Sequence, residues 1–188
     1  MTWTSFHHRG EILRSVIRTA DQRRDGLLPM GVTGVRETIG DELSLYGALS
    51  LRWHTRLAGR IERELLDQPM DLEGAVISAW RTLADEMPGV RAILDHYREH
   101  PVDEAMAAAI AKATHKEHVL LAVMAGRGSA HDGRSAARAA AAGARIEQRA
   151  RTLSAAIAAA RGADGAGRFG ARPSLRHRLG RLKAALAA

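Results

Sequence analysis

Apolar residues recur every three or four positions along residues 1–126, the spacing that places side chains on one face of an α-helix. A Gly- and Pro-containing stretch at residues 25–34 and three prolines, Pro69, Pro88 and Pro101, divide this region into five segments. No segment alternates between apolar and polar residues with the period of a β-strand. The pattern predicts an all-α fold in which residues 1–126 form a four- to five-helix antiparallel bundle.

The residue types at the segment boundaries agree with this pattern. Asp41, Asp71 and Asp103 each stand just before an apolar stripe, where a carboxylate accepts hydrogen bonds from the first free backbone N–H groups of a helix. Pro88 suits the first turn of the fourth helix, because its fixed φ is helical and it lacks an N–H. The longest predicted helix follows Asp41, with this apolar stripe: Leu43, Tyr46, Leu49, Trp53, Leu57 and Ile61.

The pattern changes after Gly128. Residues 127–162 are rich in Ala and Arg, and their few large apolar residues, Ile146, Leu153 and Ile157, fall at helical spacing. We therefore predict a helical extension there, either lying on the bundle or projecting from it. The Gly-rich residues 163–173 are typical of a flexible linker, and residues 174–188 predict a short basic amphipathic helix.

Charge is distributed unevenly along the 188 residues, which carry a formal net charge of +7. Residues 1–126 contain 15 Lys and Arg and 18 Asp and Glu, a net charge of −3, whereas residues 127–188 contain 13 and 3, a net charge of +10. The chain has no cysteine, which excludes disulfides, zinc–thiolate sites and thiol catalysis. It also lacks the apolar runs of a signal peptide or a transmembrane helix, so we expect a cytoplasmic protein.

The C-terminal helix is the predicted partner-binding segment. Its leucines form one narrow apolar stripe flanked by basic residues, and from residue 165 onward there are six basic and no acidic residues. A helix this short is marginal in water and is expected to form against a surface. Candidate surfaces are the protein's own bundle or a second copy, a groove on another protein, nucleic acid, and, less favoured, an anionic membrane. The expected contact residues are Leu175, Arg176, Arg178, Leu179, Arg181, Leu182, Lys183 and Leu186.

Within this helix, the segment Leu179-Gly180-Arg181-Leu182-Lys183 follows the Gly- and Ala-containing linker. It is similar to the cargo-loading peptides that dock enzymes inside encapsulin nanocompartments. Those peptides typically have a small hydroxyl residue where Arg181 stands, and they end sooner. The resemblance is confined to residues 179–183. It implies that the bundle is a packaged cargo, in which case an iron-related or oxidative-stress role would follow.

A second candidate site consists of polar residues that fall on apolar stripes. Glu117 lies at the centre of the inward face of its helix, Glu64 continues the stripe of the longest helix, and His54 and Arg60 flank that stripe. A carboxylate directed into a bundle must be paired, protonated or bound to a ligand. Three interpretations remain open: a Glu117 ion pair with Arg60 or His54 that fixes helix register, a bundle end at which Glu64 reaches water, or a polar pocket of Glu117, Glu64 and His54 for a small ligand or metal.

Metal ligation has only a weak candidate, His96 and His100, which are spaced i, i+4. Hemerythrin-like and ferritin-like ligand patterns are incomplete, and both imidazoles are expected to face solvent. The chain also lacks a phosphate-binding glycine motif. We therefore expect no cofactor and no catalytic residues, and a non-enzymatic adaptor that docks through its C-terminal helix. The alternative is a metal- or ligand-binding bundle around Glu117.

Overall fold

The structure, a computed structural model, describes residues 3–129 and 131–169, and within them the side chains of residues 7–129 and 131–161. Every regular element in that part of the chain is helical: α1 (Trp3–Arg23), α2 (Val35–Thr38), α3 (Glu42–Asp67), α4 (Leu72–Glu86), α5 (Pro88–Glu99), α6 (Glu104–Met124) and α7 (Gly133–Phe169). The prediction of an all-α protein is therefore confirmed. None of these helices is long and apolar enough to cross a membrane.

Three of the helices begin at the predicted aspartates. The carboxylates of Asp41, Asp71 and Asp103 accept hydrogen bonds from backbone N–H groups three residues on, at 2.8, 2.9 and 2.7 Å. Each such cap stabilises its helix by about 1 kcal/mol relative to alanine. The sequence did not predict α2, a single turn between the loop and α3 that places Val35 in the core.

The core is built around α3. Five of its side chains are fully buried: Leu45, Leu49, Trp53, Leu57 and Ile61. Four of these belong to the predicted stripe, whereas Leu45 was not predicted and Leu43, which was, is only partly buried. The five buried side chains belong to one cluster with buried residues of α1, α4, α5 and α6. Complete burial of a leucine or isoleucine is worth about 1.5–3 kcal/mol relative to exposure, so this stripe anchors the fold.

The chain divides into two compact units, Met1–Arg151 (the first unit) and Thr152–Ala188 (the second unit), and α7 contains the boundary. The first part of α7 packs in the first unit, where Ile146 and Ala150 join the main core. The sequence left open whether residues 127–162 lie on the bundle or project from it, because α7 packs largely through small residues, whose apolar periodicity is weak.

In the second unit, the backbone is helical through Phe169, which includes the first seven residues of the predicted linker, 163–173. The side chain of Leu153 is 44% exposed. Residues 170–173 and the predicted C-terminal helix, 174–188, lie outside the described residues, so its eight expected contact residues remain predictions.

Candidate functional site

Glu117 lies at the centre of the first unit and is only 2% exposed. Its Oε1 accepts hydrogen bonds from the indole Nε1–H groups of Trp53 on α3 and Trp80 on α4, at 3.2 and 3.1 Å. The two indole rings meet edge to face, with their centroids 5.9 Å apart. One carboxylate oxygen therefore satisfies the only polar groups of two large core side chains, which would otherwise be buried without a partner.

Arg91 on α5 supplies the nearest opposite charge. It is 6% exposed, and its Nη1 lies 3.7 Å from Glu117 Oε1. Its guanidinium lies 4.8 Å from the Trp53 ring centroid, within the range of a cation–π interaction. The other terminal nitrogen, Nη2, donates to Asp95 Oδ1 at 2.7 Å. Arg91 thus connects the Glu117 centre to a second group of charges.

That second group is organised by Arg151 on α7. Its Nη1 and Nη2 donate to the two carboxylate oxygens of Asp95 at 2.9 and 2.6 Å, and its Nε and Nη2 donate to Glu147 Oε1 at 3.1 and 2.7 Å. Glu147 also accepts from Arg98 at 3.0 Å and pairs with His118 Nε2 at 2.6 Å. Six charged residues form what we call the ion-pair network: Arg91, Asp95, Arg98, Glu117, Glu147 and Arg151.

The network contains three carboxylates and three guanidinium groups, so its formal charges balance. Burial alone would raise the pKa of Glu147, but the hydrogen bond from His118 and the charges of Arg98 and Arg151 lower it far below its usual range. Burial likewise opposes ionisation of Asp95, and the hydrogen bond from Arg151 with the charge of Arg91 lowers its pKa. Both carboxylates are ionised at neutral pH, which suits structural ion pairing and not proton donation.

His54 is the one member of the predicted pocket that approaches Glu117, with its Nε2 at 3.9 Å from Oε2. Its Nδ1 lies 2.8 Å from the Ser50 carbonyl oxygen, which can only accept, so Nδ1 carries a hydrogen. Nε2 is buried and has no hydrogen-bond partner within the described residues. A surface groove of about 360 Å³ between α3 and α6, lined partly by His54 and Ser50, adjoins this position.

The other two predicted pocket residues lie elsewhere. Arg60 pairs with Glu86 at the edge of the helix packing, and Glu64 accepts a hydrogen bond from Gln68 one turn further along α3. The structure therefore does not bring Arg60 or Glu64 to Glu117. Both side chains lie beyond the inward stripe of α3 and reach partners near the surface.

The histidine pair proposed for metal binding consists of two side chains stacked on each other. The ring centroids of His96 and His100 are 5.2 Å apart; His100 is exposed and His96 is half-buried against Tyr97. No group of three His, Asp or Glu side chains within the described part of the chain is arranged to hold a metal ion.

Sequence reasoning missed most of the ion-pair network. Arg91–Asp95 and Glu147–Arg151 are i, i+4 pairs and are visible as such, but nothing local shows that they meet. A stronger signal was Arg91 itself, which stands between Val90 and the apolar Ile93 and Leu94 in an otherwise uncharged stretch of the sequence, residues 87–94. A charge in that position requires a buried partner.

Compared with known proteins, the chain matches no family model and has no significant match among curated proteins or solved structures.

Proposed function

We propose that this protein is a non-enzymatic helical adaptor that docks on a macromolecular partner through its basic C-terminal helix, residues 174–188. In this proposal, residues 1–126 form the antiparallel bundle and residues 127–162 extend it. The partner is another protein, and the leucine stripe at Leu179 and Leu182 supplies the apolar contact.

The observation that carries the proposal is the uneven distribution of net positive charge between the two units. Residues 1–151 have a net charge of +1 and residues 152–188 a net charge of +6. Within the first unit, three of the six arginines that follow residue 126 form ion pairs: Arg127 and Arg149 with Glu73, and Arg151 with Asp95. From residue 165 onward the sequence has six basic and no acidic residues, an excess of positive charge that favours binding to an external partner.

Affinity capture from lysate tests this proposal, using the full chain and a chain lacking residues 165–188. A third protein with Leu179→Ser and Leu182→Ser keeps every charge and removes the centre of the apolar stripe. We expect both altered proteins to lose the captured partner while their thermal unfolding stays unchanged. Capture of a shell-forming protein would indicate that the bundle is a packaged cargo, as the resemblance of residues 179–183 to cargo-loading peptides implies.

Two results would overturn the proposal. If the deletion lowers the melting temperature by several degrees, the C-terminal segment is part of the fold and not a docking element. If the double serine variant captures the same proteins as the parent, binding depends on charge alone. Equal capture of random DNA, with affinity that falls steeply with salt, would point to nucleic acid.

A second candidate function, small-ligand binding at Glu117, is favoured by the unpaired Nε2 of His54 beside the groove of about 360 Å³. A ligand there would perturb the indole N–H resonances of Trp53 and Trp80, which both donate to Glu117. Titration followed by NMR, with elemental analysis of untagged protein, tests this alternative. Stoichiometric iron or zinc would favour it over the adaptor.

A further inference from the structure

A groove with a volume of about 710 Å³ lies between α1 and α3. Three of its lining residues have small or no side chains, which leaves space between the two helices: Gly10 on α1, and Gly47 and Ala48 on α3. Leu13 and Ile17 supply apolar surface on the α1 side. The α1 residues that line it recur at three- and four-residue spacing, as do those of α3, so two parallel stripes of helix surface face the groove.

A neighbouring depression of about 480 Å³ shares Arg14, Ile17 and Arg52 with this groove. The two therefore adjoin, and together we call them the basic groove. Its walls carry five arginines: Arg9, Arg14, Arg18, Arg52 and Arg56.

The acidic residues of the basic groove are already engaged. Asp21 accepts a hydrogen bond from the Gly89 backbone N–H at 2.9 Å, and Glu86 pairs with Arg60. Arg52 and Arg56, by contrast, are exposed and make no hydrogen bond or ion pair within the described residues. The basic groove thus presents cationic groups that the first unit does not neutralise, although residues 1–126 are acidic on balance.

Leu51 adds an exposed apolar side chain to this cationic surface. It is 68% exposed and lines both the basic groove and the groove of about 360 Å³ beside His54, where Lys112 and Lys116 stand. An exposed leucine between cationic walls selects a ligand that is both apolar and anionic.

We propose that the basic groove binds an acidic amphipathic helix of a partner protein. Such a helix presents apolar residues at three- and four-residue spacing to Leu13, Ile17 and Leu51. Its flanking carboxylates meet the arginines, whose planar guanidinium groups bind carboxylates in a bidentate manner. The small residues of the groove floor allow the approach of a cylinder about 10 Å across.

Other occupants fit less well. The chain's own segment after residue 165 has six basic and no acidic residues, so the arginines would repel it. Nucleic acid would use the arginines but not the apolar floor, and among the side chains that the structure describes no aromatic one lines the basic groove for base stacking. This site is independent of the C-terminal docking helix and extends the protein's partners to acidic ones.

A pair of glycine substitutions tests the proposal without disturbing the fold. Gly47 and Gly59 both lie on α3, and an added Cβ at either position would meet no atom within 4 Å. A side chain can therefore leave the backbone at either position without overlap, and the higher helix propensity of leucine favours α3 by about 0.8 kcal/mol. Only Gly47→Leu fills the basic groove, since Gly59 does not line it. Thermal unfolding confirms that both variants remain folded.

The probe is a fluorescein-labelled peptide of about 18 residues, long enough for five helical turns, with Leu at three- and four-residue spacing and Glu at most other positions. Binding to the full chain is followed by fluorescence anisotropy. We expect Gly47→Leu to weaken binding at least about tenfold and Gly59→Leu to leave it unchanged. The paired substitution Arg52→Glu and Arg56→Glu should weaken peptide binding as much as Gly47→Leu does. Arg63 is also exposed on α3, and Arg63→Glu should change the affinity little.

Several results would overturn the proposal. One is unchanged affinity in either Gly47→Leu or the Arg52/Arg56 pair. Another is equal binding of a peptide with the same composition but scrambled leucines, which would show a response to charge alone. Tighter binding of duplex DNA, or of phosphatidylglycerol vesicles, than of the peptide would assign the basic groove to a polyanion or a lipid surface. Binding that disappears on deletion of residues 165–188 would show that the peptide binds elsewhere.

Discussion

The Glu117→Leu substitution tests whether the buried carboxylate is required by the groups around it. Leucine has similar volume but accepts no hydrogen bond, so the indole N–H groups of Trp53 and Trp80, which are 0% and 2% exposed, lose their partner. The three guanidinium groups of the ion-pair network would then outnumber its two remaining carboxylates, and Arg91 would have to share Asp95 with Arg151. Breaking a buried pair in this way costs about 3–5 kcal/mol.

Glu117→Gln should cost less. Its amide oxygen can still accept both indole hydrogen bonds, so the loss is mainly that of the charge 3.7 Å from Arg91 Nη1, about 1–3 kcal/mol. The surface substitution Glu64→Gln is the matched control and should change the free energy of unfolding by less than about 0.5 kcal/mol. The order of stability is therefore parent and Glu64→Gln, then Glu117→Gln, then Glu117→Leu.

Urea unfolding measures these differences. A Trp3→Phe background restricts tryptophan fluorescence to Trp53 and Trp80, which contact Glu117 directly. The prediction is refuted if Glu117→Leu unfolds at the same urea concentration as the parent, because the Glu117 carboxylate would then make no net contribution to the free energy of unfolding. Combining Glu117→Leu with Arg91→Met should cost less than the sum of the two single changes, with a coupling of about 0.5–3 kcal/mol.

Two further predictions concern α7. Gly143→Ala should destabilise the first unit by about 1–3 kcal/mol, measured by thermal unfolding, because its Cβ would overlap the His118 carbonyl. Gly133→Ala, where an added Cβ meets nothing, is its control. The pKa values of Asp95 and Glu147 are lower in the folded than in the unfolded state. Their stabilisation is therefore present above the unfolded carboxyl pKa of about 4 and is lost as the pH falls through the folded values. Urea unfolding between pH ~5 and ~3 should show the beginning of this loss, and Glu147→Gln should reduce it.

Local signals were sufficient to predict α1 and α3 to α6, although not the single turn of α2. Asp41, Asp71 and Asp103 cap their helices as expected, because capping involves residues only three positions apart. The stripe of α3 is buried because its apolar period matches that of the helix. Glu117 was likewise predicted to face inward from its position between Ala113 and Leu121.

The partners of Glu117 could not be predicted in the same way. Trp53 is 64 residues away in sequence and Trp80 is 37 residues away, and either indole could have been satisfied by another acceptor. Arg60 was a reasonable partner by helical position, yet it pairs with Glu86, 26 residues away. Which of several compatible charges meet depends on the relative rotation of α3, α4 and α5, which no local pattern encodes.

The position of α7 shows why the ion-pair network contains so many charges. The side of this helix that packs in the first unit consists largely of Ala139, Ala142, Gly143 and Ala150, with Ile146 as its one large buried apolar residue. Small side chains give little preference for one register over the next, because neighbouring turns offer nearly the same surface. Ion pairs are directional, and the two hydrogen bonds from Arg151 to Asp95 of α5 favour the observed arrangement over its neighbours. The close approach at Gly143 selects the same arrangement by shape. Buried charge therefore specifies packing where apolar volume is too small to do so, a role for which single buried polar groups are well attested.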